Sequence, residues 1–173
     1  EQQRRYQSFD STEFSLEPDL KESPGCLRDF QTALWVLEHC FEIEKLEDCI
    51  KIKLFKKIEI KNVKKSYDHI KSLRYILNLN NHSNRISFEN QLLLAKKSKL
   101  KSSKKSSAVE KFMRTFFLHA SNLSDFNELV FQAYEDQLTI LKRSYSRDFY
   151  IFKDRLGISE RINLVKQPEF ILE

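Results

Sequence analysis

The sequence has 173 residues, of which 40% are hydrophobic and 12% aromatic, and its 30 basic and 25 acidic residues give a net charge of +5. A chain of this length and composition can bury a core, which disfavours a disordered protein. Only two Gly and three Pro occur, which disfavours sandwiches and barrels with many tight turns. No apolar run reaches the roughly 20 residues that span a bilayer. We therefore expect a soluble, mainly helical protein.

The first twenty residues predict the edge of another domain. Residues 1–8, EQQRRYQS, are typical of the polar end of a helix, and Ser11–Leu16 alternates apolar and polar side chains, which predicts a short strand. Glu17 and Asp19 flank Pro18 at the end of that strand, where an acid can face a bound metal. The pattern leaves open that both acids simply face solvent.

The middle of the chain predicts a helical bundle. After the turn residues Ser23–Gly25, apolar residues recur at steps of three or four. Helices are predicted at about 27–41, 46–54, 58–79 and 87–100, and a long one at 108–141. Its phenylalanine-rich stripe is predicted to pack on the 58–79 helix.

The last thirty residues change pattern. Two apolar alternations around Gly157 predict a small hairpin. The expected fold class is therefore mainly α, a helical bundle with a short N-terminal strand and a small C-terminal hairpin.

Charge and reactive residues give little direct evidence of chemistry. Seven lysines between Lys51 and Lys65, and six between Lys96 and Lys105, allow a nucleic-acid partner without requiring one. The first run is interleaved with apolar residues, which favours an amphipathic, solvated helix face. The four His have no HxxxH spacing, and three Cys without a CxxC motif favour a reduced, cytoplasmic environment.

One long segment carries a specific resemblance. Residues 16–41, LEPDLKESPGCLRDFQTALWVLEHCF, resemble the segment that follows the nucleotidyltransferase core in bacterial [protein-PII] uridylyltransferase/uridylyl-removing enzymes, commonly written LEPNIKxxPGGLRDxxTLxW. The resemblance continues in family order through LRYILNL (73–79), NRISFENQLLLA (84–95), VEKFMRTFF (109–117) and VKQPEFIL (165–172).

This resemblance implies a function for a longer protein. Such enzymes use Mg²⁺ and UTP to uridylylate a Tyr of the PII signalling protein when glutamine is low, and an HD domain removes the UMP when glutamine is high. The resemblance implies that the Gly-Ser motif and the paired DxD carboxylates of the transferase site, and the HD motif of the removal site, lie outside this chain. It also implies three parts of the chain. Residues 1–20 are the edge of the nucleotidyltransferase domain, residues 21–145 are a helical domain, and residues 146–173 are a connector toward the HD domain. We expect this segment alone to be inactive.

The resemblance also implies roles for four residues. Glu17 corresponds to the Glu of LEPN and is the candidate third carboxylate of the transferase metal site. Lys21, Arg28 and Asp29 correspond to residues of KxxPGGLRD and either orient phosphate or fix the entry into the helix. Two positions depart from the family pattern: Cys26 replaces the second Gly of PGG, and Asn78 replaces a common His.

Two other classes of function remain open at this point. One is a non-enzymatic basic helical module that binds nucleic acid or an acidic protein. The other is a nucleotidyltransferase that shares this segment but modifies a different acceptor.

Overall fold

The computed structural model describes residues 2–8, 12, 14–103 and 106–138, together with the backbone of three short strands between 143 and 158. The chain divides into two compact units, Glu1–Tyr134 and Glu135–Glu173. The described helices are α1 (Gln2–Gln7), α2 (Leu27–Phe41), α3 (Asp48–Lys51), α4 (Lys57–Asn81), α5 (Phe88–Lys97) and α6 (Ala108–Leu138). The prediction of a mainly helical fold is confirmed. None of the described helices combines the length and apolar character needed to cross a bilayer.

Local signals set the helix ends. Ser87 precedes α5, and its hydroxyl accepts a hydrogen bond from the backbone N–H of Asn90 (3.4 Å). At the start of α4, Glu59 accepts a hydrogen bond from the backbone N–H of Lys56 (2.7 Å), the carboxylate half of a capping box. Helix α2 ends where Glu42 adopts a left-handed conformation (φ 55°).

The core of the first unit lies where α6 packs against α2 and α4. Phe126 of α6 contacts Phe30 of α2 and Phe55, with ring centroids 5.8 and 5.1 Å apart. Ser66 Oγ of α4 is hydrogen-bonded to His119 Nδ1 of α6 at a distance of 3.0 Å. The predicted packing of the long helix is confirmed, because its phenylalanines at three stripe positions are at most 2% exposed: Phe112, Phe116 and Phe126.

The predicted N-terminal strand is not confirmed. The described residues 12 and 14–16 form bends and a turn, and the side chains of Phe14 and Leu16 are 57% and 74% exposed. The alternation of apolar and polar residues in this segment therefore does not mark a strand with one buried face. The extended backbone lies further along, where Asp19 forms an isolated antiparallel bridge with Arg85.

The second unit contains a small antiparallel sheet in the order β1 (Arg143–Ser144), β2 (Phe149–Phe152) and β3 (Arg155–Ile158). Gly157 lies within β3 and is paired with Tyr150 of β2. The predicted hairpin instead placed Gly157 between its two strands, and its second strand, near Ile162 and Leu164, lies outside the described residues.

Candidate functional site

The loop between Ser23 and Leu27 is buried throughout and leads directly into α2. Gly25 has φ +69°, and a Cβ placed there would lie 2.2 Å from the backbone oxygen of Ala120 in α6. Both the left-handed conformation and this close approach exclude a side chain. The loop therefore packs directly against the backbone of α6.

Asp29 is the polar centre of this junction. Its side chain is fully buried, and its Oδ2 accepts hydrogen bonds from the backbone N–H of Gly25 (2.7 Å) and the hydroxyl of Tyr6 (2.6 Å). Its Oδ1 forms an ion pair with Arg5 (2.5 Å). A buried carboxylate with this many donors fixes the surrounding elements. Asp29 thus connects the buried loop and α2 to α1.

Two neighbouring groups share this environment. Asn127 of α6 donates a hydrogen bond to the backbone oxygen of Asp29 (2.8 Å). Burial, and then the hydrogen bond to Asp29, raise the pKa of Tyr6 well above its ordinary value. Tyr6 therefore stays protonated and donates to the carboxylate. Three helices, α1, α2 and α6, therefore meet at Asp29.

Lys21 and Arg28 lie on a more accessible side of the same junction. Both contact Glu22 Oε1, at 3.1 Å from Lys21 Nζ and 3.0 Å from Arg28 Nη2. Burial raises the pKa of Glu22, but the hydrogen bonds from Arg28 and Lys21 outweigh it and the pKa is lowered. Lys21 and Arg28 thus share one carboxylate, whereas Asp29 points into the core.

Glu17 connects the N-terminal segment to α5. Its Oε2 accepts a hydrogen bond from Arg85 Nη2 (3.0 Å), and its Oε1 accepts one from the backbone N–H of Phe88 (3.0 Å), in the first turn of α5. Its side chain is 26% exposed. Both oxygens of this accessible carboxylate therefore bind donors of the chain itself.

The residues present do not by themselves fit a Mg²⁺ site. Mg²⁺ prefers several oxygen ligands in octahedral geometry, and Glu17 is engaged by a cation and a backbone donor. Within the part of the chain that the structure describes, no group of three His, Cys, Asp or Glu side chains could hold a metal. None of the described hydrogen bonds joins Glu17 to Lys21, Arg28 or Asp29.

The structure brings together two histidines that are far apart in the sequence. The rings of His69 in α4 and His119 in α6 lie 4.2 Å apart, and His119 Nδ1 is hydrogen-bonded to Ser66. The Nε2 atom of His69 is buried without a hydrogen-bond partner. Burial, then the neighbouring His119 and Lys65, lower the pKa of His69 to about 4. Both positions fall on helix faces that pack together, but no sequence motif indicates the pair.

The lysine run from Lys51 to Lys65 is a solvated surface. All seven of its lysines are exposed. Lys51 forms an ion pair with Asp48 (2.7 Å), and Lys64 forms one with Glu47. Of the apolar residues between them, Phe55, Ile60 and Val63 are buried, whereas Ile52 and Ile58 are exposed. The run therefore forms the outer face of amphipathic elements.

These features define a helical domain organised around a buried loop-to-helix junction. The chain belongs to the GlnD PII-uridylyltransferase family, whose model matches residues 1–131. No solved structure matches the chain.

Curated relatives agree with this assignment. A bifunctional uridylyltransferase/uridylyl-removing enzyme of Hydrogenovibrio crunogenus is 27% identical over the whole chain, which covers 21% of that protein. Enzymes with the same name from Haemophilus influenzae (strain PittEE) and Pseudomonas aeruginosa (strain LESB58) are 28% and 30% identical, over 100% and 79% of this chain and 21% and 15% of their own lengths. The chain thus spans about a fifth or less of these relatives.

Proposed function

We propose that this chain is the helical scaffold of an enzyme that transfers UMP from UTP to a Tyr of the PII signalling protein and also removes that UMP. The observation that carries this proposal is the family match over residues 1–131. In this proposal, the enzyme acts in the cytoplasm, where its three free cysteines stay reduced, and it responds to glutamine.

The scaffold role is supported by the junction around Asp29. The most specific part of the family resemblance, residues 16–41, forms the buried loop, the start of α2 and the contacts with α1 and α6. Buried, fully satisfied polar networks of this kind specify one arrangement of the elements around them. The segment therefore holds its helices in a fixed geometry next to the proposed transferase site.

The chain alone is proposed to be inactive in both reactions. Its 173 residues contain no DxD pair, no Gly-Ser and no His-Asp dipeptide. These are the motifs that the family resemblance assigns to the transferase and removal sites. The remaining catalytic groups, the UTP site and Mg²⁺ belong to other parts of the proposed enzyme.

A chimera tests the proposed function. The chain replaces the matched segment of the Hydrogenovibrio crunogenus enzyme, and UMP transfer to PII and UMP removal are both measured. We expect both activities to be present, since the scaffold would position the same sites. A chimera with Gly25→Val, which disrupts the buried loop, is the matched control and should lose them. A folded chimera with neither activity would contradict the proposal.

The same chimera tests Glu17, which we propose as the one carboxylate that this chain contributes to the transferase site. Glu17→Gln should lower UMP transfer by about 10²-fold or more, the scale of losing a positioned acid or base, and leave UMP removal nearly unchanged.

Arg85→Gln supplies the control for Glu17, because it breaks the same ion pair without removing the carboxylate. If Arg85→Gln and Glu17→Gln reduce both activities equally, Glu17 acts only as a connection to α5. Unchanged transfer in Glu17→Gln would also reject the catalytic role.

A further inference from the structure

A half-open groove runs between α2 and α4, and none of Glu17, Lys21, Arg28 and Asp29 lines it. Its volume is about 320 Å³, at the lower end of the roughly 300–1,000 Å³ that small-molecule sites occupy. One wall comes from α2 and the other from a single stripe of α4, at steps of three or four residues. The lining residues are Leu27, Gln31, Tyr67, Lys71, Arg74, Tyr75 and Asn78.

The charge of this lining is entirely positive. Lys71 and Arg74 both face the groove, and no Asp or Glu lines it. Among the described ion pairs, neither cation has a carboxylate partner. Arg74 uses Nε to bind the neutral side-chain oxygen of Asn84 (2.8 Å), so the positive charge of its terminal nitrogens is not neutralised by that contact. The groove therefore favours an anion.

The aromatic residues add a second kind of recognition. Tyr75 is 66% exposed at the groove, so its ring is free to contact a ligand. Tyr67 stacks on the buried Phe30, with ring centroids 4.3 Å apart, and Lys71 Nζ lies 5.5 Å from the Tyr67 ring centroid. Two tyrosine rings beside two cations suit a ligand that has both a flat aromatic group and phosphates.

The lining is also held in place before any ligand binds. Asn78 donates hydrogen bonds to the backbone oxygen of Arg74 (2.9 Å) and to the side-chain oxygen of Asn84 (3.3 Å). The same Asn84 oxygen binds Arg74 Nε, and the Phe30 ring fixes Tyr67. A preorganised lining loses less entropy on binding.

We propose that this groove binds a nucleoside phosphate, with the phosphates at Lys71 and Arg74 and the base against Tyr75. The amide of Gln31 supplies a donor and an acceptor for the edge of the base, and the side-chain oxygen of Asn78 supplies a further acceptor. The proposed binding does not depend on catalysis by this chain.

Calorimetry on the purified 173-residue chain tests this proposal, with ATP, UTP, uridine and pyrophosphate as probes and without Mg²⁺. We expect at least one of the two nucleotides to bind about tenfold or more tightly than uridine and pyrophosphate, because only a nucleotide engages both the rings and the cations. Tyr75→Ala and Lys71→Gln should each weaken nucleotide binding about tenfold, equivalent to about 1.4 kcal/mol. Both side chains are exposed, so the thermal unfolding of the variants should match that of the parent chain.

Lys61→Gln is the matched control, since it removes an exposed lysine of α4 that does not line the groove. Its nucleotide binding should equal that of the parent. The proposal is overturned if neither nucleotide binds, if pyrophosphate binds as tightly as the nucleotides, or if the groove variants and Lys61→Gln have the same effect. None of these outcomes depends on transferase turnover, so they are separable from a failure of the proposed enzyme function.

Discussion

At the scale of single residues, Gly25 shows how one position can join two elements. Its backbone is left-handed, and it lies directly against the backbone of Ala120. Its neighbour Cys26 has φ −105° and ψ −168°, an ordinary extended conformation, and is fully buried at the N-cap of α2. Only the first position of the family's Gly-Gly pair therefore requires glycine in this chain. Cys26 fits because its backbone needs no special conformation.

Gly25→Ala should lower the free energy of unfolding by about 2–5 kcal/mol, because an alanine is strained in the left-handed conformation and its Cβ would overpack against α6. Chemical denaturation measures the loss. Cys26→Ala is the control at the next position and should cost less, since it removes one sulfur atom and introduces no clash. Equal losses for the two variants would show that the close approach to Ala120 is relaxed without cost.

The paired histidines lead to a prediction about pH. The pKa of His69 is lowered from 6.5 to about 4 in the folded protein, so between these values the unfolded chain binds more protons. Stability should therefore decrease as the pH falls from about 6.5 towards 4. Lys65 is the charged group that acts on both histidines, and Ser66 and Asn122 are the polar groups beside them.

His69→Phe isolates this contribution, because it keeps a ring against His119 and removes the buried Nε2 atom. The free energy of unfolding of this variant should fall less steeply than that of the parent chain over the same pH range. Parallel curves for the parent and His69→Phe would contradict the prediction.

At the scale of elements, a few polar side chains decide how α1, α2 and α5 are attached. Asp29 joins α1 to the start of α2, and Glu17 joins the N-terminal segment to α5. Hydrophobic spacing located α2, the polar residues 1–8 indicated α1 and Ser87 indicated the start of α5, but none of these signals could show which acids connect the helices. Asp29 follows the turn residues by only four positions, and nothing in that spacing indicates donors from residues 2–6 or from α6.

Asp29→Ala should lower the free energy of unfolding by about 3–5 kcal/mol. It removes the acceptor of Tyr6 and of the Gly25 N–H, and it leaves the largely buried Arg5 with only the more distant carboxylate of Glu22, at 3.9 Å. Equilibrium denaturation with a global probe measures the change. Asp68→Ala, on the exposed face of α4, should stay within about 0.5 kcal/mol of the parent. A small effect of Asp29→Ala would mean that water replaces the lost contacts.

At the scale of the whole molecule, the fold could be predicted where a long apolar stripe repeats at helical spacing. The stripe of α6 located the helix and its buried phenylalanines, and Ser87 located the start of α5. The strand at Ser11–Leu16 was not confirmed, because two-residue alternation also arises in exposed turns. The C-terminal hairpin is present as β2 and β3, but Gly157 lies within β3 and not between the strands, since a glycine pattern alone does not determine pairing.

The candidate site was less predictable than the fold. Resemblance selected Glu17, Lys21, Arg28 and Asp29, but it could not separate the buried Asp29 from the accessible Lys21 and Arg28. The groove of Lys71, Arg74 and Tyr75 was not recognised, since on one helix these residues resemble an ordinary solvated face. Only the packing of α2 against α4 turns that face into a concave site.

The core of residues 1–134 should respond to a cavity as one cooperative unit. Phe116 of α6 is fully buried in the core that α6 shares with α2 and α4. Phe116→Ala should lower the free energy of unfolding by about 3–5 kcal/mol, from lost apolar burial and the cavity that remains. Leu118→Ala is the matched control on the same helix, because that side chain is 63% exposed, and it should cost less than about 0.5 kcal/mol.

Amide hydrogen exchange shows whether the whole unit responds to the Phe116→Ala cavity. If the core is cooperative, Phe116→Ala should speed the slowest exchange in α2, α4 and α6 by the same factor. Faster exchange in α6 alone would show instead that α6 opens independently of the other two helices.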